Sequence, residues 1–300
     1  MASPTIPRSD RAFETERGHL GRAWDVARRW PWISASILTL LVFTAIFADV
    51  ISPHPPLQHD LSERNLPPAW VEDGSANHLL GTDVIGRDLL SRLMHGTRIS
   101  LMVAAVALVS GTVIGTGLGL ASGYFGGVLD EVITRMVDIW LGLPFILVAL
   151  AVVVVLGASL ITTGILLVLL AWTPFVRQVR AEVLSLKTRD YISAARIAGA
   201  SVPRIFLRHL LPGVVNTVIV IATLSVGGLI LVEAFLSFLG AGIPPPTPAW
   251  GSMISDGREY LRDAWWISVF PGLAIFLTVA SMNFIGDWIR DYLDPRLRQI

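Results

Sequence analysis

The sequence predicts an all-α membrane protein with six transmembrane helices, and three observations support this fold class. Of the 300 residues, 53% are hydrophobic and only 15% are charged, whereas soluble domains carry about 25% charged residues. Several apolar runs reach about 20 residues, the length that a helix needs to cross a ~30 Å hydrocarbon core. Basic residues also concentrate in alternate connecting segments, as they do in proteins that cross a membrane several times.

The boundaries of the spans follow from the apolar runs and from the residues that interrupt them. Pro53 ends the first span, because proline lacks the N–H donor that a helix interior needs. A glycine-rich turn at Gly123, Gly126 and Gly127 precedes the third span, and Pro144 inside that span should kink it. The predicted spans are residues 33–51, 99–120, 133–156, 160–176, 214–239 and 265–285, and the fourth helix should continue into the cytoplasm as far as residue 182.

The charge distribution orients these spans. Residues 1–32 carry six basic residues, 177–211 carry seven and 286–300 carry three, whereas the loops 52–97 and 240–264 carry three and two. The positive-inside rule therefore places both termini in the cytoplasm and the two loops outside it. The predicted division is a cytoplasmic tail (1–32), a first transmembrane helix (33–51), an extracytoplasmic loop (52–97), a five-helix core (98–289) and a second cytoplasmic tail (290–300).

Several kinds of chemistry have no candidate residues. The formal net charge is zero, which gives no reason to expect a nucleic-acid partner, and the chain has no cysteine. Lys187 is the only lysine and no glycine-rich loop precedes it, so this chain has no P-loop and any ATPase must be another polypeptide. No histidine pairs with a second histidine and a carboxylate at ligand spacing, so no metal site and no catalytic site are predicted. The six histidines, all outside the apolar runs, are His19, His54, His59, His78, His95 and His209.

One polar segment, residues 190–212, separates the fourth span from the fifth. Its arginines and the neighbouring Arg189 would each cost several kcal/mol inside a bilayer, so it should lie at the membrane surface. Asp190 is suited to cap a first short helix, Gly199 to end it, and Ser201 with Pro203 to begin a second one. Chemistry alone leaves two alternatives open, a helix resting on lipid headgroups or a docking site for a cytoplasmic protein.

The spacing inside the polar segment resembles a known motif. Ala194 and Ala195, then Gly199 after three residues, then Leu211 and Pro212, resemble the EAA loop of bacterial ABC-importer permeases. In that family the loop is a coupling helix that fits a groove on the ATPase subunit. This sequence departs from the motif at Ser193, where the usual residue is glutamate. The resemblance assigns ATPase coupling to Asp190, Tyr191, Ser193, Ala194, Ala195, Arg196, Gly199, Ala200, Pro203, Arg204 and Pro212.

Four longer stretches are similar to the C-type permease subunit of the dipeptide, oligopeptide and nickel branch of these importers. They are residues 78–101, 123–144, 233–251 and 283–296, so the resemblance covers about 33–296. It implies a type I importer-permease fold and import of di- or oligopeptides, with nickel or glutathione as alternatives. It also implies a second homologous permease, one or two P-loop ATPases that hold ATP and Mg²⁺, and an extracytoplasmic substrate-binding protein. This chain itself would hold no cofactor.

Four glycines on the second span share one helix face. Gly111, Gly115, Gly119 and Gly123 recur every four residues, a spacing that permits close helix–helix contact. The stripe packs either against a partner permease or against another helix of the same chain.

Four charged residues have a functional and a structural interpretation. Glu233 lies near the outer end of the fifth span, where it either lines the pathway or is a carboxylate held by Ser237. Asp83, Arg87 and Asp88 either contact the binding protein or fold their own loop through turns and ion pairs. On the third span, Asp138 is spaced to pair with the residue three positions earlier, Arg135.

Two other functional classes have weaker support. A self-sufficient secondary transporter usually shows internal repeats and ionisable residues near mid-membrane, and this sequence has no convincing repeat. An intramembrane hydrolase would need a histidine or paired acids within the spans, and no histidine lies there. The sequence therefore favours a permease subunit of an ATP-driven importer that is not itself an enzyme.

Overall fold

The computed structural model describes residues 31–293, and within that range every regular segment is helical apart from one isolated bridge between Thr82 and Asp88. The helices are α1 (Trp32–Ile51), α2 (Leu89–Phe125), α3 (Gly127–Gly142), α4 (Phe145–Leu156), α5 (Leu160–Leu186), α6 (Asp190–Ile197), α7 (Val202–Ile205), α8 (Leu211–Phe238), α9 (Trp250–Gly257) and α10 (Trp266–Leu293). Short 3₁₀ turns lie at Leu61–Glu63 and Arg258–Tyr260. The predicted tails lie mostly outside the described residues.

The number of spans agrees with the prediction. Among the described residues, five helices are long and apolar enough to cross a membrane, and the bent pair α3–α4 makes a sixth candidate. The second of them, α2, begins at Leu89, so its first turns occupy residues that were predicted as loop. Its start is fixed by Asp88, whose carboxylate accepts a hydrogen bond from Ser91 N at 2.8 Å. With 37 residues, α2 is about 55 Å long at ~1.5 Å per residue, and it extends well beyond a hydrocarbon core.

The third span is broken more sharply than a proline kink. Helices α3 and α4 meet at 86°, because Leu143 is extended and Pro144 starts the new helix with no N–H to continue the old one. The turn before α3 is made by Gly126 and Gly127, with φ of 68° and 58°. The prediction that Gly123 belongs to this turn is wrong, because Gly123 is still inside α2.

The tightest pair of helices is α2 with α5. Helix α5 continues past its apolar part, as predicted, and ends at Leu186, four residues beyond the predicted limit at residue 182. Ion pairs join it to α3: Arg180 donates to Asp130 at 2.7 Å, and Arg177 donates to Asp138 at 2.8 Å. The predicted pair between Arg135 and Asp138 is therefore wrong, because the carboxylate of Asp138 turns to the neighbouring helix.

The fifth span begins earlier than predicted, because it is continuous with α7. Residues Val202–Phe238 form one helix of 37 residues, with a π-helical turn at Phe206–Leu210. Pro212 lacks the N–H that would bond to the carbonyl four residues earlier, and the helix passes this position through the wider turn. The expected second short helix of the polar segment is therefore the first part of a long one.

Two apolar clusters of buried residues occupy opposite ends of the bundle. The larger one surrounds Trp250 and Trp266 and packs the loops 52–88 and 239–265 onto α2 and α8; we call this region the loop end. The smaller one lies under the polar segment, where α2, α5 and α8 meet. Each cluster positions a candidate site.

Candidate functional site

The polar segment is held on the helix ends by two isoleucines. Ile192 of α6 and Ile205 of α7 are fully buried and pack with Val179, Val183 and Val214. Burying an isoleucine side chain is worth about 1.5–3 kcal/mol. The segment is therefore packed firmly onto the ends of α5 and α8.

A glycine ends α6 in the way the sequence predicts. Gly199 has φ of 77°, and its N–H donates to Arg196 O at 3.0 Å while Ala200 N donates to Ala195 O at 3.0 Å. These two bonds form a Schellman motif, which favours glycine because its backbone is left-handed there. The chain turns sharply at this point and presents Gly199 to the surface.

The start of α6 differs from the prediction. Arg189 is the N-terminal capping residue, since its backbone is extended, and Asp190 is already helical with no capping bond from its side chain. A carboxylate in the first turn still interacts favourably with the helix dipole. Ser201 does precede α7, with Pro203 at the second helical position, but the Ser201 side chain makes no capping bond either.

The predicted coupling residues share an exposed surface. Ile197 adds a large apolar side chain to it, with 88% of its area accessible. Ala195 and Ala200 are half-buried beneath this surface. The exposed members are Asp190, Tyr191, Ser193, Ala194, Arg196, Gly199, Pro203, Arg204 and Pro212.

The composition of this surface bears on both interpretations of the segment. Helices that lie on lipid headgroups insert large apolar side chains such as Trp, Phe and Leu, and this segment exposes Ile197 (88%) and Leu207 (67%) beside the small residues Ser193, Ala194 and Gly199. Small side chains allow a second protein to approach the backbone closely. The surrounding arginines are exposed, and Arg189, Arg204 and Arg208 form no ion pair with any residue from 31 to 293. This mixture of small, apolar and basic side chains is compatible with a protein partner and with a lipid layer.

At the loop end, charged residues are buried and paired. Asp83 is 2% exposed and Arg92 is 2% exposed. The Asp83 carboxylate accepts bonds from Arg87 Nε at 2.5 Å and from Arg92 at 2.9 Å, and also from the backbone N–H groups of Ile85 and Arg87 at 3.0 Å each. Both arginines also lie 3.5–3.6 Å from the Asp256 carboxylate of α9.

This network supports the structural interpretation of Asp83 and Arg87. Burial, together with the nearby Asp83 carboxylate, raises the pKa of Asp256 above its ordinary value, although Arg87 acts in the opposite direction. The network joins the first loop to α2 and α9. Side chains so enclosed are not available to a protein that approaches from solvent.

Besides capping α2, the Asp88 carboxylate contacts His78. Its Oδ1 lies 2.9 Å from His78 Nδ1, and the other ring nitrogen of His78 lies 3.2 Å from Glu63 Oε2. Burial alone would lower the pKa of His78, but these hydrogen bonds outweigh burial and raise it above the ordinary value. His54 packs beside His78, with ring centroids 4.8 Å apart and the ring planes tilted by 33°. The expectation that no histidine meets a second histidine and a carboxylate is therefore wrong for His54 and His78, because folding brings together residues distant in sequence.

Glu233 is a buried carboxylate held by two serines. It is 0% exposed, and it accepts hydrogen bonds from Ser237 at 2.9 Å and from Ser100 of α2 at 3.1 Å. Of its two interpretations, the geometry supports the structural one, in which the carboxylate joins α8 to α2.

The glycine stripe of α2 packs inside the chain. A Cβ added to Gly119 would lie 2.8 Å from Val179 Cβ, and one added to Gly123 would lie 2.8 Å from Val183 Cβ. A Cβ added to Gly111 would lie even closer to Ala171, and one added to Gly115 would lie even closer to the backbone of Trp172. All four glycines therefore contact α5, which is the second of the two alternatives that the sequence left open.

Several residues of these sites were not among the predicted ones. Ile192 and Ile205 anchor the polar segment, and Ile197 dominates its exposed surface. The helical spacing within residues 190–197 carries the signal for Ile192, because α6 has a single large inward-facing apolar residue. No signal pairs Arg92 with Asp256, since they are far apart in sequence and meet only in the fold.

Comparison with known proteins agrees with this architecture. Residues 115–299 match the family described as binding-protein-dependent transport system inner membrane component. Residues 26–68 match the N-terminal TM domain of oligopeptide transport permease C.

Several relatives are similar over most of their length. The dipeptide transport system permease protein DppC of Escherichia coli is 46% identical over 262 residues, covering 87% of each chain. The di/tripeptide transport system permease protein DppC of Pseudomonas aeruginosa is 43% identical over 87% of this chain and 86% of that protein. The glutathione transport system permease protein GsiD of Pectobacterium atrosepticum is 42% identical over 76% and 75%.

One solved structure shows the same fold. A chain of the MetNI methionine ABC transporter, in an inward facing conformation, aligns with a TM-score of 0.55 and 22% identity. The alignment covers 69% of this chain and 98% of that one. The helical arrangement described above is therefore that of an ABC-importer permease.

Proposed function

The chain belongs to the family of binding-protein-dependent transport system inner membrane components, and we propose that it forms half of the membrane pathway of an ATP-driven importer of di- and oligopeptides. The peptide substrate is supported by the relatives from Escherichia coli and Pseudomonas aeruginosa, both named as dipeptide or di/tripeptide permeases. The glutathione permease of Pectobacterium atrosepticum supports glutathione, itself a tripeptide, as a second candidate.

The observation that carries the coupling role is the anchored, exposed polar segment. Its small and basic residues are largely exposed, with Arg196 also lying over the Tyr124 ring at 4.9 Å from the ring centroid, while Ile192 and Ile205 fix its position. If an ATPase subunit bound to this surface moves, α5 and α8 would move with it, because no flexible loop separates these helices from the surface. ATP and Mg²⁺ would be held by that subunit, because this chain has no P-loop.

A second permease would pair with this chain along the bent pair α3–α4. Helix α4 makes few contacts with the rest of the described chain, and it exposes most of the surface of Val154 (85%), Val155 (81%) and Leu156 (65%). These side chains need an apolar environment, which a homologous permease or lipid supplies. Closure of two ATPases under the two permeases would then rock the helices between inward-open and outward-open states.

The proposed orientation places the polar segment in the cytoplasm of a bacterial cell and the loop end outside it. The excess of basic residues in and around the polar segment supports this orientation. The loop end would then receive substrate from a soluble or lipid-anchored binding protein. Both termini would be cytoplasmic, since six spans return the chain to its starting side.

A paired substitution tests the docking surface. Ile197→Asp places a charge at the centre of the exposed surface, and Ser185→Asp places the same charge on the exposed side of α5 nearby. We expect Ile197→Asp to insert normally but to lose co-purifying P-loop ATPase and peptide uptake, with Ser185→Asp retaining both. Equal ATPase recovery from the two variants would contradict docking at this surface.

Purification of the tagged wild-type chain in mild detergent tests the assembly as a whole. We expect a second permease and one or two P-loop ATPases to accompany it. Recovery of this chain alone, as a homo-oligomer that still transports peptide, would instead support a stand-alone transporter.

A further inference from the structure

The loop end contains a cluster of two histidines and one carboxylate that the importer function does not require. His54 follows the end of α1, His78 lies in the middle of the loop, and Asp88 begins α2. One candidate ligand atom from each of these residues lies within 4.8 Å of the other two. Three separate parts of the chain thus converge on one point.

The distances within the cluster are close to those between ligands of one metal ion. His78 Nδ1 is 2.9 Å from Asp88 Oδ1, and His54 Nδ1 is 3.8 Å from the same oxygen. Ligands bound tetrahedrally at ~2.0–2.1 Å from Zn²⁺ are about 3.3–3.4 Å apart. Binding one ion would lengthen the distance from His78 to Asp88 and shorten that from His54 to Asp88 by about half an ångström each. It would also require the two imidazoles, whose ligand atoms lie within 4.8 Å of each other, to approach.

His54 shows that hydrogen bonding alone does not account for the cluster. Its Nδ1 atom is buried and has no hydrogen-bond partner among residues 31–293. A buried ring nitrogen without a partner is costly, and its lone pair is available for a cation. A salt bridge between His78 and Asp88 explains His78 but leaves His54 Nδ1 unused.

The surrounding residues would orient the ligands. Glu63 Oε2 lies 3.2 Å from His78 Nε2, so that nitrogen can donate to the carboxylate while Nδ1 is left for the metal. The second oxygen of Asp88 is held by Ser91 N at 2.8 Å and by Ser91 Oγ at 2.6 Å. Carboxylate–histidine and carboxylate–hydroxyl contacts of this kind are typical of the residues behind metal ligands.

We propose that His54, His78 and Asp88 form a binding site for a divalent transition-metal ion of the Zn²⁺ class. The mixed nitrogen and oxygen donors suit such an ion better than Ca²⁺ or Mg²⁺, which prefer oxygen alone. A cavity of about 170 Å³ beside the cluster, lined also by Gln58 and Asn77, has room for water as the fourth ligand. Binding releases the Nδ1 proton of His78 to solvent.

The ion would act as a clamp. It would link the end of α1 to the middle of the loop and to the first residue before α2, three segments whose side chains meet at this cluster. Ligand binding to the folded form alone stabilises it. We therefore predict that binding of the ion raises the thermal stability of the protein and does not change the polar segment.

The test uses the full chain purified in mild detergent with its co-purifying subunits, on a tag that contains no histidine. After treatment with a chelator, Zn²⁺ affinity is measured by competition with a chromophoric chelator, and bound metal by mass spectrometry. We expect one Zn²⁺ per chain, a visible tetrahedral spectrum on Co²⁺ substitution and a higher melting temperature with the metal. His54→Ala and His78→Ala should each weaken binding by more than about 100-fold, and Glu63→Ala by about 10–100-fold.

His59→Ala is the matched control. His59 lines the same cavity but lies outside the cluster, so its loss should leave the affinity unchanged. His54 is one-third exposed, so His54→Ala should fold, and its melting temperature without metal should equal that of the wild type. The proposal is overturned if the wild type binds no more Zn²⁺ than the His54→Ala/His78→Ala double variant, or if His59→Ala loses as much affinity as His54→Ala.

Discussion

Charged residues are buried and paired at one end of the helix bundle and exposed at the other. At the loop end, Asp83 and Arg92 are almost completely enclosed and find their partners inside the chain. At the polar segment, Arg204 and Arg208 are exposed and form no ion pair within residues 31–293. Both regions are polar stretches between apolar helices, and both contain residues that the sequence marks as candidates for binding a partner.

The difference distinguishes polar residues that stabilise the fold from polar residues that are available to bind another molecule. A buried charge is tolerated only when it is paired and hydrogen-bonded, so an enclosed network such as that of Asp83 is needed by the fold itself. The exposed surface of small and basic residues has few such partners within the described chain, apart from the contact of Arg196 with the Tyr124 ring. Its anchoring by Ile192 would let it transmit movement if an ATPase binds there, as we propose.

The strongest test of this comparison removes the centre of the buried network. Asp83→Ala would leave Arg87 and Arg92 enclosed with only the more distant Asp256 carboxylate. Breaking a buried pair from one side costs about 3–5 kcal/mol, so the free energy of unfolding should fall by that amount. Thermal or denaturant unfolding followed by tryptophan fluorescence would measure it, because Trp266 donates to the Thr82 carbonyl next to Asp83.

Glu72→Ala is the control for this prediction, since Glu72 is an exposed acid of the same loop. It should change the stability by less than about 0.5 kcal/mol. If the two variants unfold at the same temperature, Asp83 does not hold the loop end together.

A smaller effect on stability, but a larger one on transport, is expected at Gly199. Leucine there would adopt a left-handed backbone at about 1–2 kcal/mol and would project into open space, since no atom lies within 4 Å of the Cβ position. We expect Gly199→Leu to insert and assemble while ATP hydrolysis no longer drives peptide uptake. Ratios of ATP hydrolysed to peptide imported in proteoliposomes would measure this.

The control, Ser185→Leu, adds the same bulk to the exposed side of α5 with an ordinary helical backbone. Its ratio of hydrolysis to transport should match the wild type. Normal uptake by Gly199→Leu would contradict coupling through the polar segment.

The smallest effect is expected at Ser193. Because Ser193 is exposed, Ser193→Glu should change the stability by less than about 0.5 kcal/mol and should preserve assembly with the ATPase. Quantifying co-purified ATPase against the wild type would check it. Loss of assembly would show that the alignment of this segment with the EAA motif is wrong.

The sequence predicts the helices better than their ends. Span-length apolar runs locate the membrane helices, since no other arrangement satisfies the backbone in lipid. The true ends depend on single polar or glycine residues, such as Asp88 before α2 and Gly126 after it, and hydropathy does not detect them. The 86° break at Pro144 was expected only as a kink, because its size depends on how α3 packs against its neighbours.

Of the candidate sites, too, the sequence predicts one and misses the other. The polar segment was predicted because its spacing is local: Gly199 ends a helix that starts nine residues earlier. The networks at the loop end were not predicted. Arg92 meets Asp256 only after the two loops have packed, and His54 meets His78 only after the first loop has folded on itself. Contacts between residues distant in the chain leave no periodic signal in one sequence.

The continuity of α7 with α8 has a mechanical consequence. From Val202 to Phe238 the chain is one rod of 37 residues, about 55 Å long, and its first turns belong to the surface where an ATPase would bind. A tilt of ~10° about that surface would displace the far end by about 10 Å. Near that far end, the Glu233 carboxylate accepts a hydrogen bond from Ser100 of α2. A tilt at the end where an ATPase would bind would therefore also displace α2 through this hydrogen bond.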